Sequence, residues 1–372
     1  MAFLHGTITV RRANNPGPQI QLSDENLVER IRRRAGQPYE KILPDQAAGW
    51  VSSHHILDTD LAPEKVLEGD YLYMDLRVTA KKVPPALLRA HCYMEEMAER
   101  QASGREFLKR EEKKQIKEEV QERLLGMVPP SLRSYPVVYS TLENCWWTAI
   151  TSDLVGDLFM ELVHSSLESR IEWIGPEELA LAAIGPDGLR DLRPVSFALN
   201  NTAGQPEGDA LADLGPDFLT WLWYRTEIEG PAFELGELGT VEVLIEDDLS
   251  LEGEQGVARR SSVKSGLPTH SAEAKAALSV GKKLCRCRWG VTQGDDVWMG
   301  QFDARGFVTR GLKIPSGTAY QEGGVLESRM GLVERYWALK SALFEQFLKE
   351  RTGQWAATVE DMKKWIAAKD EK

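Results

Sequence analysis

The stretch Tyr71–Gly126, YLYMDLRVTAKKVPPALLRAHCYMEEMAERQASGREFLKREEKKQIKEEVQERLLG, sets the architecture of this chain. Its opening, YLYMDLRV over Tyr71–Val78, is rich in aromatic and aliphatic residues and predicts a strand. Pro84-Pro85 then sits at a helix start, where a missing amide proton costs nothing because the first turn's amides have no helical partner. From Ala86 to Gly126 the chain predicts helix with one break at Ser103-Gly104, so that the two halves fold back as a hairpin. Phe107, Leu108, Ile116, Val120, Leu124 and Leu125 mark its apolar stripe. Arg105, Lys109, Lys113 and Lys117 recur every four residues and lie along one face, with Arg110 and Lys114 beside them. Glu106, Glu111, Glu112, Glu118, Glu119 and Glu122 interleave as i,i+4 partners, so a basic edge for an anion and a merely solvated face both fit this pattern.

On the N-terminal side, Phe3–Val10 alternates as a strand and ends at Asn14-Asn-Pro-Gly-Pro. A helix from Ser23 carries Leu27, Ile31 and Ala35 and stops at Gly36, and Gly49-Trp-Val-Ser-Ser-His-His reads as a turn. On the C-terminal side, Pro136–Tyr139 and Cys145–Thr151 form a hairpin around Leu142-Glu-Asn, followed by an amphipathic helix over Asp153–Leu167. Gly185–Gly215 is loop-rich, and Phe218-Leu-Thr-Trp-Leu-Trp-Tyr begins a buried helix. Strands are expected over Val241–Ile245, Lys283–Gly290, Val297–Phe302 and Phe307–Ile314, with a short helix over Ser271–Val280. A long helix from Val325 to about Arg351 and a shorter one close the chain. The fold class is α+β: mixed antiparallel sheets with a projecting helical hairpin and a C-terminal helix. Five regions follow. Residues 1–83 form an N-terminal α/β region, residues 84–135 the projecting hairpin, and residues 136–215 a central strand-helix region. Residues 216–321 form a sheet region with the acidic and basic segments, and residues 322–372 the C-terminal helices.

The 372 residues are enough for a sizeable core, and 42% hydrophobic with 27% charged residues describe an ordinary globular chain. Eleven Trp are an excess. Buried indoles and exposed stacking surfaces both use Trp, and the core is the expected place. No stretch approaches the roughly 18 apolar residues that span a bilayer, and Met1-Ala-Phe-Leu-His-Gly lacks the charged and apolar regions of a leader, so a cytoplasmic protein is expected.

Net charge is −12, which taken alone opposes nucleic acid. The charge is unevenly spread. Glu227–Glu254 holds ten Asp or Glu and no Lys or Arg, whereas Arg259–Arg288 holds eight Lys or Arg against Glu273 alone. Such a swing predicts one surface for an anion and another facing away from it, the alternative being two solvated faces. Within Val257–Arg288, the expected phosphate contacts are Arg259, Arg260, Lys264, Lys282, Lys283, Arg286 and Arg288, with Lys109, Lys113 and Lys117 of the hairpin as a second group. Lysine and arginine without a reader helix suit sequence-independent backbone binding.

Motifs for covalent chemistry are missing. There is no GxxxxGK[ST], GxGxxG or GxSxG. His54-His55 lacks a second ligand cluster, and Cys92, Cys145, Cys285 and Cys287 fit no zinc spacing and read as free thiols, so neither metal nor cofactor is expected. On the strand around Cys285 and Cys287, the thiols are expected inward with Leu284, Arg286 and Arg288 opposite. Asp75 with Lys81 or Lys82, and Glu242 with Glu246, come nearest to a nuclease carboxylate set, without its spacing.

In the order of its pieces the chain resembles the bacterial recombination-associated protein RdgC family. The resemblance rests on Gly49-Trp-Val, on the Tyr71 strand followed by KKVPPALL, and on the run EFLKREEKKQIKEEVQERLLGMVPPSLRSY, whose lysine-rich helix, Leu-Leu and Pro over Lys113–Pro129 are the most telling unit. It continues through the paired Trp strand, GELGTVEVLIEDDLSLEG, GVARRSSVKSG, KKLCRCRW and RGFVTRGLKIP. It covers most of the chain, and departs by an insertion near Ala203–Gly215 and a longer tail, Trp355–Lys372. The resemblance implies a ring-shaped homodimer that passes double-stranded DNA through a basic hole, sits on the nucleoid and restrains a RecA-type recombinase by occupying its DNA. A ring with acid outside and base inside would let an acidic protein hold DNA. Two other readings fit the same residues: a protein-interaction component of a phage-related or stress system, working through the acidic segment, and a nucleic-acid enzyme with a degenerate nuclease motif.

Overall fold

The computed structural model describes residues 3–41, 47–199, 213–253, 259–264, 268–315 and 324–368. Its strands are β1 (Ile8–Asn14), β2 (Ala47–Val51), β3 (Leu67–Glu68), β4 (Tyr71–Ala80), β5 (Ser131–Ser140), β6 (Cys145–Thr148), β7 (Glu172–Trp173), β8 (Ala232–Glu234), β9 (Thr240–Glu252), β10 (Arg260–Val263), β11 (Lys283–Gln293), β12 (Asp296–Asp303) and β13 (Val308–Lys313). The helices are α1 (Leu27–Arg32), α2 (Pro63–Val66), α3 (Pro85–Ser103), α4 (Arg110–Met127), α5 (Asp153–Leu167), α6 (Pro176–Asp191), α7 (Leu214–Ile228), α8 (Ala272–Ser279), α9 (Val325–Thr352) and α10 (Trp355–Ala367).

The α+β class holds, but the strands join in one path, β10-β9-β11-β12-β13-β1-β6-β5-β4-β2, with every strand pairing antiparallel among the described residues. β1 is the joint. Its Ile8 and Val10 pair with β13, and Arg11 to Asn14 pair with β6, so one strand passes the sheet from one half to the other. The strand expected over Phe3–Val10 therefore begins at Ile8 and runs on to Asn14.

Strand period decides which core each residue enters. In β6 the consecutive Trp146 and Trp147 point to opposite faces. Trp147 meets Trp337 of α9, ring centroids 5.6 Å apart. Trp146 meets Phe159 of α5 at 5.6 Å. In β4, Tyr71 and Tyr73 belong to the larger core with α7 and α9, while Leu72, Met74, Leu76 and Val78 belong to the smaller core with α1 and α5. A strand covered on both faces reads as a continuous apolar run, which is why YLYMDLRV is legible as one. All Trp except Trp173 are buried, as expected of core indoles.

Gly49-Trp-Val is not a turn but the edge strand β2, antiparallel to β4 with Gly49 opposite Arg77. Trp50 fills the smaller core and donates from Nε1 to Ser166 Oγ at 3.0 Å. Gly49 is required by close approach: a Cβ there would lie 2.6 Å from the Gly36 Cα. The helical hairpin forms as expected. Gly104, φ +65°, ends α3 in the left-handed region, and α4 begins at Arg110. Its own seam of Val83, Val120 and Leu124, with Leu88, Cys92 and Ile116 packed on it, is separate from both main cores. Phe107, expected in that stripe, is instead 74% exposed in the loop between the helices. The loop expected from Gly185 begins later, because α6 continues past a kink at Gly185-Pro186. No helix among the described residues is long and apolar enough to cross a membrane.

Candidate nucleic-acid interface

The acidic and basic segments do not occupy separate surfaces. β9, which carries half of the acidic residues of that stretch, lies between β10 and β11, so the two segments are neighbours in one sheet. Antiparallel register places Arg260 opposite Glu252 and Arg288 opposite Glu246. Arg260 pairs with the Glu252 carboxylate, Lys264 with Asp248 at 3.5 Å, and Lys275 with Glu227 at 3.2 Å. Opposite charges placed cross-strand stabilise a sheet by a few tenths of a kcal/mol and up to about 1 kcal/mol each. The expectation of an anion surface backed by a distant acidic one is corrected on this point, because the strand order brings the charges together.

The remaining candidates divide by burial. Lys283 is turned inward, 7% exposed, in an ion pair with the fully buried Asp217 at 2.6 Å. It is a structural cation and presents nothing to a ligand. Arg286 is held by Asp303 at 2.8 Å. Lys282 donates to Ser261 Oγ at 2.6 Å. Arg288 is exposed and its guanidinium touches Met299 Sδ at 3.2 Å, with no carboxylate partner among the described residues. Arg259 is exposed just before β10. Val257 and residues 265–267 of the basic segment, Glu254, residues 203–212 of the insertion and the tail after residue 368 lie outside the described residues.

The thiols of β11 separate rather than sharing a face. The ladder to β9 shifts register between Leu284 and Arg286, a bulge that turns Leu284 into the core alongside Cys287. Cys285 instead lies beside Arg305, 3.8 Å from its guanidinium. Burial pushes its thiol up to about 11, with Arg305 opposing and Glu252 adding to the shift. Among the described residues no three or more His, Cys, Asp or Glu are grouped to hold a metal, and Asp75 is buried, accepting from Ser53 Oγ at 2.8 Å.

The hairpin does separate its charges. One groove between α3 and α4, about 660 Å³, is floored by Leu88, Cys92 and Tyr93 and rimmed by Arg89, Arg110, Lys113, Lys114 and Lys117, with Glu96 as its one carboxylate. The groove on the opposite side is lined by Glu95, Glu99 and Glu119 with Arg123 as its one cation. Helical spacing produces this division: positions 110, 113, 114 and 117 follow i, i+3, i+4, i+7 and share a face. Lys113 reaches the half-buried Glu96 at 3.5 Å, and Lys114 reaches Glu118 at 3.5 Å in a well-exposed and therefore weak pair. Among the described residues no carboxylate pairs with Lys109, Arg110 or Lys117.

Lys109 stands at the N-cap of α4, where its amide donates to Glu112 Oε2 at 2.7 Å. That bond first, and Arg105 second, hold the Glu112 carboxyl below its usual range. Arg105 is thereby committed to Glu112 at 2.8 Å and leaves the basic row. Burial, then the Glu96 charge, pushes the Cys92 thiol up, so it remains a thiol on the groove floor. Arg89 and Tyr93 are the groove residues that sequence reading missed. They sit on α3, whose contribution to a face shared with α4 depends on how the two helices cross.

No family model matches the chain. None of the curated proteins matches it.

Proposed function

We propose that this chain binds double-stranded DNA through its phosphates, without dependence on sequence, and that the basic groove of the α3–α4 hairpin is the principal contact surface. The observation that carries the reading is the division of charge across the hairpin, five cations and one carboxylate on one side against three carboxylates and one cation on the other. A helix pair with no net preference for an anion would interleave its charges on both sides. Lys113 and Lys117 of the groove thus move ahead of the β10–β11 group, with Lys109 at the start of α4 beside them, while Arg259 and Arg288 remain exposed and without a carboxylate partner among the described residues. Pairing of two copies into a ring around the duplex, association with the nucleoid and competition with a RecA-type recombinase complete the reading and rest on the resemblance to the RdgC family. No reaction is assigned to the chain.

Gel-shift titration against random duplexes tests it. Binding at about 50 mM salt that falls with a slope of about −0.9 per neutralised phosphate is expected. Charge reversal at Arg110 and Lys114 lowers the affinity, and reversal of Glu95 and Glu119 on the other side does not. Absence of any shift at low salt overturns the proposal.

A further inference from the structure

Beneath β2 lies a second basic feature, away from the hairpin. A cavity of about 310 Å³ opens between the end of α1, β2, β4 and α5. Its floor is Arg77, which β4 places opposite Gly49 and which is 1% exposed. One terminal nitrogen donates to the Ile56 carbonyl at 3.2 Å and the other to the Gln37 carbonyl. Its Nε is buried with no hydrogen-bond partner among the described residues. No carboxylate pairs with Arg77 among the described residues. A buried guanidinium held by neutral carbonyls alone is costly, and structures normally offset such a charge with an anion.

The rim supplies more positive charge. Arg33 and Arg34 follow α1 and line the same cavity. Arg33 keeps a loose exposed contact with Glu29 at 3.7 Å. Arg34 has no side-chain partner among the described residues, while its carbonyl is fixed by the Trp50 amide at 2.9 Å. The neighbouring Gly36 amide donates to the Trp50 carbonyl at 2.8 Å, so the crossing of the α1 exit and β2 holds the rim in place. Thr79 and Ser165 also line it, their hydroxyls donating to the Ala47 and Leu162 carbonyls, and Glu161 is the one carboxylate among the described lining residues. Among the described lining residues three guanidinium groups face one carboxylate, and with Arg33 shared with Glu29 the balance stays positive.

We infer that this cavity is a binding site for a phosphate group, either inorganic phosphate or a terminal phosphate monoester, held between the buried Arg77 and the rim residues Arg33 and Arg34. Guanidinium forks match the oxygens of phosphate in pairs, and the positive balance of the site suits an anion. The volume lies at the small end of ligand pockets, suiting a phosphate with little attached to it. The inference is independent of duplex binding by the hairpin, since no residue is shared between the two sites.

Calorimetric titration of the full chain with inorganic phosphate, at ionic strength balanced with sodium chloride, is the test. Saturable one-site binding is expected, weakened about tenfold by Arg34→Ala, which removes one charge-assisted contact from an exposed position and leaves the fold intact. Arg77→Lys, measured alongside, weakens it further. A short oligonucleotide with a 5′ phosphate, compared with the same strand ending in a 5′ hydroxyl, separates the sources. Preference for the phosphorylated end, competed by inorganic phosphate, makes a nucleic-acid terminus the ligand, and equal binding of the two strands makes free phosphate the ligand. Arg34→Ala leaves the duplex gel shift unchanged in either case. Phosphate that fails to bind saturably, or that binds wild type and Arg34→Ala alike, overturns the site.

Discussion

The Tyr71 hydroxyl donates to the Glu334 carboxylate, 3.2 Å to Oε1 and 3.3 Å to Oε2, and so ties the long helix α9 to β4. Burial first, and the nearby Glu143 charge second, raise the Glu334 carboxyl to about 7, with Tyr71, Ser140 and Arg12 pulling the other way. A carboxyl raised in the folded state keeps its proton there while the unfolded chain has already lost it. Between the ordinary glutamate value near ~4.3 and about 7, stability therefore falls as pH rises, and it levels off above that window. Glu334→Gln removes the titration and should be as stable as wild type at pH 5 and more stable at pH 8. Because the group retains some access to water, the difference at pH 8 should be about 1 kcal/mol. Thermal melts of both proteins across this range check it, and parallel curves would refute it.

Gly36 and Gly49 permit the crossing that also shapes the phosphate cavity. Gly49→Ala would put a Cβ 2.6 Å from the Gly36 Cα and 3.0 Å from the Ala35 carbonyl carbon, both backbone atoms that have no rotamer to change. The strand must shift, at a cost of about 1–3 kcal/mol. Denaturant unfolding of Gly49→Ala should show this loss, together with weaker phosphate binding, since the displaced strand carries the rim contacts of Arg34. A variant of wild-type stability would mean the crossing is looser than these distances.

What can be read from the sequence is local. YLYMDLRV, the proline-started hairpin and the helix Asp153–Leu167 declare themselves because strand period, helix punctuation and amphipathic spacing act within a few residues. Charge placement is not legible, for a physical reason. Glu252 and Arg260 look like members of opposed blocks in sequence, yet the pairing of β9 with β10 makes them cross-strand partners, and nothing in composition reports strand order. The direction of Cys285 escapes similarly, since a bulge reverses the alternation that would predict it. The basic row of α4 is legible at i, i+3, i+4 and i+7. Its completion by Arg89 and Tyr93 is not, because that depends on the packing of two helices.

Lys340 lies wholly inside the larger core. Its Nζ donates to the Phe307 carbonyl at 2.9 Å and stands 4.3 Å from the Trp337 ring. Phe307 sits in the left-handed region at φ +50°, where a non-glycine residue is strained, and this bond helps hold it there. Burial holds the Lys340 amine well below its ordinary value. The unfolded chain then binds a proton near ~10.4 that the folded protein declines, so over this window stability rises with pH. Lys340→Met lacks that slope. Relative to the variant, wild type should gain stability as pH rises toward the ordinary lysine range, read from denaturant midpoints. A constant difference between the two would show that the amine stays charged in the core.

Lys283 and Lys113 both carry a charge that could meet a phosphate, and their surroundings predict opposite behaviour. Lys283 neutralises Asp217 inside the protein, so Lys283→Met strands a buried carboxylate and should cost about 3–5 kcal/mol of stability. The DNA affinity of the folded fraction should stay the same. Lys113 and Lys117 lie on the exposed rim of the hairpin groove, where reversal to Glu should change stability by only about 0.5 kcal/mol. Their loss should lower duplex affinity and flatten its salt dependence by about 0.9 per phosphate released, close to ~2 for the pair. Denaturant unfolding and gel shifts at several salt concentrations, run on the same preparations, separate the two effects. If Lys283→Met lost affinity at full stability, phosphate would have to reach the sheet interior, and the assignment of the hairpin as the contact surface would fail with it.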